Sequence, residues 1–442
     1  MIDSDQKTNP ALSWIKNIPF LKKFFAEIRS IPLRGIKNAS YLSLGNFAVQ
    51  LINILGYIYI VRMLGARNYG VYVTVSTFIE WFDFLLLGGL YTVLLREGTK
   101  DLAKMHLKLE SAAGIRNGLI LFSMTTCVMT SFFITPYDFR TKIYIAIFSF
   151  QILYNGLKGF YEVIFQATEN MKYLSLLSIT NRLLFVGLSV AFIYFGFGLT
   201  ALFLVSLVSN FFTLSLDYRL SRRFIKFNLL ARAHFEKTLI KPTIIFSLMG
   251  LLSYFSTRVD LLMISLLGTA KDVGVYGVAF RIAEQAMMLR NFTAAAFFPI
   301  FLKRFHRGKM QGKRLIRISL IFLIVIFAAA FLASIFAEKF MPMIFGTEYQ
   351  ASAHILAILI FYVAFGWASM PFSMAAQSTH NEKYVLIIRS VMAALNVALN
   401  YVFFLRFGLI GIAYSTLVAF FVGAVLEYLI SYRVMKRQGH LV

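Results

Sequence analysis

The sequence contains little cysteine, histidine or acidic charge. Its 442 residues include one cysteine, Cys127, six histidines and 20 acidic residues against 44 basic ones. A single cysteine excludes an internal disulfide bond and a thiolate metal site, and the histidines stand singly, without the spacing of a zinc motif. No nucleotide-binding or nucleophile motif is present. We therefore expect no metal, no cofactor and no catalytic residue, and a protein that is not an enzyme.

Charged residues of any kind are scarce, and long apolar runs take their place. Hydrophobic residues make up 59% of the chain, charged residues 14%, and the mean hydropathy is +0.72. An apolar run of about 20 residues crosses ~30 Å of hydrocarbon as a helix, and these runs do not alternate as membrane β-strands do. The sequence therefore predicts an all-α polytopic membrane protein with twelve transmembrane helices. They lie near residues 41–61, 70–94, 117–136, 143–166, 174–195, 199–218, 242–267, 274–301, 318–337, 351–377, 384–405 and 409–432.

The basic residues are concentrated in alternate loops. If the segments alternate in direction, most Lys and Arg residues fall on the side that holds both termini. The positive-inside rule then predicts that the N and C termini are cytoplasmic. Because topology accounts for the net charge of +24, we expect no nucleic-acid partner. Contact with anionic membrane lipids is a second role for these residues.

The first 40 residues form a basic arm outside the twelve segments. Residues 11–30 place apolar side chains at three- and four-residue spacing with lysines between them. This pattern suits an amphipathic helix on the cytoplasmic leaflet, interrupted by Pro19. A disordered basic tail is the alternative.

Two distant stretches of the chain share their pattern. Residues 166–173 read QATENMKY and residues 377–384 read QSTHNEKY, so that five residues recur 211 positions later. LGARNYGVY at 64–72 is echoed by LGTAKDVGVY at 267–276. Such spacing indicates a duplicated unit of six helices, with the two copies parallel.

The repeats predict how the chain is divided. The octet falls at the turn between the fourth and fifth helices of each copy, where Asn and Lys can cap the preceding helix. A structural role is our first interpretation of it, and a role in gating is the alternative. The divisions are a basic cytoplasmic arm 1–40, an N-lobe 41–218, a cytoplasmic linker 219–241, a C-lobe 242–432 and a cytoplasmic tail 433–442.

The order of these motifs resembles a known family. YLSLGNFAVQLINILGYIYIVRMLGARNYGVY, RVDLLMISLLGTAKDVGVYGVAFRIAE and AAAFFPIFLKRF are similar to the polysaccharide-transporter branch of the multidrug/oligosaccharidyl-lipid/polysaccharide (MOP) exporter superfamily, which includes the Wzx-type O-antigen repeat-unit flippases. The resemblance implies two lobes in a V shape that work by alternating access. It also implies that an undecaprenyl-pyrophosphate-linked oligosaccharide crosses the inner membrane of a prokaryote. The polysaccharide polymerase that acts next is a further implied partner.

Charged residues inside the apolar segments are the candidate site. A charge that faces lipid at the bilayer centre costs about 3 kcal/mol or more, so these residues should face the interior, pair, or reach the headgroups. We expect the cations to bind the pyrophosphate or sugar, and the carboxylates to couple transport or form ion pairs. The cations are Arg258, Arg290, Arg281, Lys158 and Arg182, and the carboxylates are Glu80, Asp83, Asp260, Glu284 and Glu162.

Some of these charges have a local explanation. Lys158 and Glu162 are four residues apart, and Arg281 and Glu284 are three apart, so each pair can neutralise itself on one helix face. Arg182 lies near the cytoplasmic end of its segment and can extend to the headgroups, as can Arg389.

Arg258 and Arg290 lack such an explanation. Arg290 has no acidic neighbour at helical spacing. Asp260 is two residues from Arg258 and about 200° round the helix, so the two cannot meet there. Each arginine needs a partner on another helix or an anionic ligand, and we favour the ligand. Arg suits phosphate because its guanidinium presents a fork of donors.

Two further groups complete the predicted site. Glu80 and Asp83 share one helix face, so one of them should hold a proton or each should pair with a cation. Aromatic residues in the cavity can stack on sugar rings, although core packing is their commoner role. The aromatic candidates are Tyr154, Tyr161, Tyr254 and Trp367.

Rival functions follow from the same features. A multidrug or cation antiporter conflicts with cations in the interior and with a first segment that carries no carboxylate. A lipid II flippase is expected to have two further helices after the second lobe. A membrane glycosyltransferase is expected to have a large extramembrane loop or a catalytic carboxylate motif.

Overall fold

The computed structural model describes residues 33–83, 88–228, 237–306, 312–378 and 382–437, and regular structure in these ranges is helical. Most of the predicted arm, the middle of the linker, part of the second octet and the end of the tail lie outside the described residues.

Most helices overlap one predicted segment, whereas the predicted segments 70–94 and 143–166 are each divided between two helices. The N-lobe contains α1 (Leu33–Asp83), α2 (Gly88–Lys100), α3 (Met105–Phe133), α4 (Phe139–Phe148), α5 (Phe150–Ala167), α6 (Met171–Tyr194) and α7 (Gly198–Ser221). The C-lobe contains α8 (Lys237–Leu267), α9 (Ala270–His306), α10 (Gly312–Phe345), a 3₁₀ turn (Thr347–Tyr349), α11 (Gln350–Ser378) and α12 (Glu382–Arg437).

Two of these helices contain a sharp break at a glycine. Gly65 in α1 has φ 72° and Gly408 in α12 has φ 60°. Residues with a Cβ rarely adopt this region, so glycine is the natural choice there. Each break separates two of the predicted segments.

Long apolar helices make the chain a multi-pass membrane protein. Within the described residues, seven stretches are long and apolar enough to cross a membrane. The first and last contain the glycine breaks, and at 1.5 Å per residue each is long enough to cross twice. The count of twelve crossings and the cytoplasmic termini remain predictions. The seven are Leu44–Asp83, Met105–Phe133, Met171–Tyr194, Gly198–Ser221, Lys313–Phe345, Thr347–Gln377 and Tyr384–Arg433.

The two lobes meet through repeated glycines. A Cβ on Gly274 of α9 would lie 2.0 Å from the Ala66 carbonyl oxygen and 3.1 Å from the Gly70 nitrogen of α1. Gly70 and Gly274 are the matching residues of the repeated LG…GVY motifs, so the motif provides a close crossing between lobes. Glu348 strengthens this contact, because its Oε2 accepts a hydrogen bond from the Ala66 N–H at 2.8 Å.

The first octet forms a tight turn between α5 and α6. The Asn170 N–H donates to the Phe165 carbonyl at 2.8 Å, and Thr168 Oγ1 donates to the Ile164 carbonyl at 2.7 Å. These bonds satisfy the carbonyl end of α5. The geometry agrees with a structural role for this copy.

Candidate functional site

A cavity between the lobes collects most of the predicted charges. This central cavity has a volume of about 430 Å³ and is lined by α1, α5, α6 and α7 of the N-lobe and by α8 and α9 of the C-lobe. Four of the five predicted cations line it, together with two predicted carboxylates. They are Lys158, Arg182, Arg258, Arg281, Glu80 and Asp83.

Arg258 is held by carboxylates from other helices. Its Nη2 lies 2.9 Å from Glu284 Oε1 on α9, and its Nε lies 3.8 Å from Glu80 Oε2 on α1. Arg258 therefore has partners on other helices, which is the alternative to the anionic ligand that we favoured, and ligand binding by Arg258 stays a prediction. Packing between α1, α8 and α9 supplies the partners that helical spacing could not show.

The two local pairs are both present. Lys158 Nζ lies 3.2 Å from Glu162 Oε1, and Arg281 Nη1 lies 3.0 Å from Glu284 Oε2. Glu284 thus joins Arg258 and Arg281 in one network. The side chains of this network keep partial exposure, with 19% for Arg258 and 39% for Arg281. An incoming anion can therefore reach the guanidinium groups.

Arg182 differs from the other cations of the cavity. Within the described residues it forms no ion pair with a carboxylate, and its buried Nε has no hydrogen-bond partner. Its guanidinium carbon lies 4.9 Å from the centre of the Phe185 ring. The sequence left two roles open for Arg182, ligand binding and extension to the headgroups. The residue lines the central cavity, and its role in binding stays a prediction.

The carboxylates Glu80 and Asp83 have different surroundings. Glu80 Oε2 accepts a hydrogen bond from the Tyr254 hydroxyl at 2.8 Å and faces Arg258. Asp83 Oδ2 accepts a hydrogen bond from Asn155 Nδ2 at 2.6 Å. Its Oδ1 is buried without a hydrogen-bond partner among the described residues, and no ion pair there includes Asp83.

Amide side chains in the cavity were not predicted. Asn181 Nδ2 donates to Asn210 Oδ1 at 3.0 Å, and the Asn210 amide also bonds to Gln151. Gln151 Nε2 in turn donates to Asn155 Oδ1 at 3.1 Å. Amides can both donate to and accept from sugar hydroxyls. Their signal in the sequence is the i,i+4 spacing of Gln151 and Asn155 on α5.

The predicted aromatic residues separate into two groups. Tyr154 lines the cavity, and Tyr254 contacts it through Glu80. Tyr161 is 2% exposed and packs against Tyr218 inside the N-lobe. Trp367 packs against Phe322 in the C-lobe. Three tyrosines that were not predicted also line the cavity, namely Tyr57, Tyr69 and Tyr72.

Arg290 lies in a second cavity, inside the C-lobe. This C-lobe cavity has a volume of about 280 Å³ and is also lined by Arg389, Asp260 and the buried Glu427. Arg290 Nε donates to the Gly366 carbonyl at 2.5 Å, and its Nη1 donates to Asn291 at 3.3 Å. A protein carbonyl therefore holds Arg290, and the structure does not join it to the central cavity.

Asp260 faces the C-lobe, away from Arg258, as their angular separation predicts. Its carboxylate accepts hydrogen bonds from Tyr276 at 2.8 Å, Asn400 at 2.7 Å and Thr416 at 2.6 Å. These neutral donors stabilise a carboxylate that is only 4% exposed.

The comparisons with known proteins identify the family. A family model described as polysaccharide biosynthesis protein matches residues 36–305, more than half of the chain. The chain belongs to this family. A probable low-salt glycan biosynthesis flippase of Haloferax volcanii is 23% identical over 189 residues. That match covers 42% of this chain and 40% of the relative, so the chain spans less than half of the curated relative that it matches.

Solved structures share the fold. The lipid II flippase MurJ in an inward closed conformation has a TM-score of 0.74 at 14% identity, over 89% of this chain and 87% of that one. An inward-facing multidrug resistance MATE transporter of the MOP superfamily has a TM-score of 0.68 at 16% identity, over 88% and 95%. The predicted MOP-type architecture is confirmed at the level of the fold.

Proposed function

We propose that this chain is a flippase that moves a polyprenyl-pyrophosphate-linked oligosaccharide across the inner membrane of a prokaryote. The observation that carries the proposal is the central cavity, where Arg182 has no carboxylate partner among the described residues and stands beside a row of amides. Arg182 offers the fork of donors that a phosphate prefers. Gln151, Asn155, Asn181 and Asn210 offer bonds to sugar hydroxyls.

The ion pairs of the cavity define a resting state in this proposal. Glu284 pairs with both Arg258 and Arg281, and Glu80 faces Arg258. A pyrophosphate that enters competes for the same donors and can release the carboxylates. Because Arg258 and Arg281 belong to the C-lobe and Arg182 to the N-lobe, this exchange links head-group binding to the relative position of the lobes.

We propose Asp83 as the carboxylate that couples transport to an ion. It lines the cavity, has one hydrogen bond and pairs with no cation in the described part of the chain. A proton or a sodium ion would satisfy the second oxygen. Asp260, in contrast, already has three donors.

The test is a complementation experiment in cells that lack the chain. Arg182→Gln should insert at the wild-type level, fail to restore surface polysaccharide and leave a lipid-linked intermediate in the cytoplasmic leaflet. Arg140→Gln is the matched control, because Arg140 is exposed and bonds to Tyr144 outside the cavity. Wild-type export by Arg182→Gln would overturn the proposed role of the residue.

The same cells separate the rival functions. If the chain were a cation antiporter, its loss would change the uptake of a cationic dye and leave the glycan intermediates unchanged. If it carried lipid II, the intermediate that accumulates would be the peptidoglycan precursor. A cationic cavity repels cationic drugs, so we expect neither result.

A further inference from the structure

A third opening lies in the N-lobe, on the face of helix α5 that points away from the central cavity. This lateral groove encloses about 1030 Å³ between α3, α5, α7 and the segment that follows α7. Helix α5 separates it from the central cavity. Tyr154, Asn155 and Lys158 face the cavity, whereas Leu153 and Leu157 face the groove.

One end of the groove is basic. Arg222 and Lys226 are exposed there, and neither forms an ion pair with a carboxylate within the described residues. Arg222 is oriented by Tyr218, whose hydroxyl accepts from Nη1 at 2.7 Å. Arg116 is completely buried beneath them, with its guanidinium carbon 4.1 Å from the centre of the Phe160 ring.

A single carboxylate belongs to the same end. Glu110 Oε1 accepts a hydrogen bond from the Asn228 N–H at 2.9 Å, and so holds the segment after α7 against α3. Three cations against one carboxylate leave the end of the groove with a positive charge. Arg116 contributes to this charge from inside α3.

The rest of the groove is aliphatic. Its wall consists of Ile120, Leu121, Met124, Leu153 and Leu157, and Leu121 is 65% exposed. Between Arg116 and Met124 the wall extends about 12 Å along α3, at 1.5 Å per residue. A basic end followed by an apolar wall matches a lipid, with phosphate at one end and an acyl chain beyond it.

We infer that the lateral groove binds an anionic phospholipid of the cytoplasmic leaflet. The phosphate lies against Arg222 and Lys226, with the charge of Arg116 beneath, and an acyl chain lies along the aliphatic wall. Charge complementarity favours an anionic over a zwitterionic headgroup. The positive-inside orientation places this end of the N-lobe at the cytoplasmic surface. The bound lipid would stabilise the position of α5, the helix that contains Lys158 of the central cavity.

The test is to measure lipid that remains bound to the purified full-length chain. The protein is reconstituted in phosphatidylcholine vesicles with or without phosphatidylglycerol, extracted in mild detergent and analysed by native mass spectrometry. Because each cation near an anionic surface contributes about 1 kcal/mol, and 1.4 kcal/mol is a factor of ten, the double variant Arg222→Gln/Lys226→Gln should retain phosphatidylglycerol about thirtyfold less well. The matched control is Arg219→Gln/Arg223→Gln, which removes the same charge from exposed positions outside the groove.

Three outcomes decide the inference. Loss of phosphatidylglycerol in the groove variant alone supports the site. Equal loss in both double variants would show general surface attraction and overturn it, as would no loss in either.

A second measurement does not depend on removing charge. Leu121→Trp places an indole on the exposed wall of the groove. Brominated phosphatidylglycerol should quench the added fluorescence more strongly than brominated phosphatidylcholine at equal mole fraction. Equal quenching by both lipids would contradict a preference for the anionic headgroup.

Discussion

The central cavity and the C-lobe cavity bury the same kinds of charge in different ways. In the central cavity, two of the three arginines pair with carboxylates, and Glu284 serves both Arg258 and Arg281. In the C-lobe cavity, Asp260 accepts hydrogen bonds from three neutral donors and Arg290 donates to a backbone carbonyl. The buried Glu427 of the same cavity keeps one oxygen without a hydrogen-bond partner among the described residues. Ion pairs can be exchanged for a charged ligand, whereas saturated hydrogen bonds to neutral groups fix a core. We therefore propose that the first cavity binds the ligand and that Asp260 with its donors makes the second more rigid.

The largest expected effect lies in the rigid cavity. Asp260→Ala removes the shared acceptor of Tyr276, Asn400 and Thr416. Thr416 keeps the Ile412 carbonyl and Asn400 keeps Asn396, so the Tyr276 hydroxyl and one Asn400 N–H lose their partner, at about 1–3 kcal/mol each. We expect a loss of several kcal/mol in the free energy of unfolding. Thermal unfolding of the purified protein measures it, with Asp260→Asn as the milder comparison. An unchanged unfolding temperature in Asp260→Ala would remove the distinction between the cavities.

A smaller effect is expected at Glu284. Glu284→Gln removes the carboxylate that Arg258 and Arg281 share, and partial exposure limits the cost to about 1–2 kcal/mol. The variant should bind anionic head groups more tightly, since two guanidinium groups are released. Titration with inorganic pyrophosphate measures this. Weaker binding by the variant would show that Glu284 holds the arginines ready for the ligand instead of competing with it.

The contact between the lobes gives a prediction about movement. Gly274→Ala places a Cβ 2.0 Å from the Ala66 carbonyl, so the lobes cannot close at this crossing. Because the clash is with backbone atoms, which cannot move aside as a flexible side chain can, we expect transport to fall severalfold and the free energy of unfolding to fall as well. Gly187→Ala is the matched control, because nothing lies within 4 Å of its added Cβ. Normal transport in Gly274→Ala would mean that this crossing is not part of the cycle.

The smallest expected effect concerns a charge outside both cavities. Hydrogen bonds from Lys100 and Lys108 lower the pKa of Glu97 from its usual value of 4.5 to about 2. A carboxylate whose pKa is lower in the folded than in the unfolded state stabilises the folded protein at pH values above the unfolded-state pKa. This contribution is lost as the pH falls from about 4.5 to about 2. Lys100→Met should reduce that part of the pH dependence of unfolding. Lys104→Met is the control, because Lys104 pairs with Asp101.

Local spacing revealed part of this structure and could not reveal the rest. The pairs Lys158–Glu162 and Arg281–Glu284 follow from the helical period, and the membrane class follows from apolar length. The partners of Arg258 come from α1 and α9, and only the packing of helices that are distant in sequence brings them together. The same holds for Arg182, whose position on the cavity side of α6 depends on how the lobes face each other.

The most direct test of the account measures binding to the purified chain. Two synthetic ligands share one polyprenyl tail and one sugar, and only one of them contains the pyrophosphate. We expect the pyrophosphate ligand to bind at least about tenfold more tightly, a difference of ~1.4 kcal/mol, and Arg182→Gln to abolish this preference while Arg140→Gln retains it. Equal affinities of the wild-type protein for the two ligands would contradict the assignment of the central cavity to a phosphorylated head group.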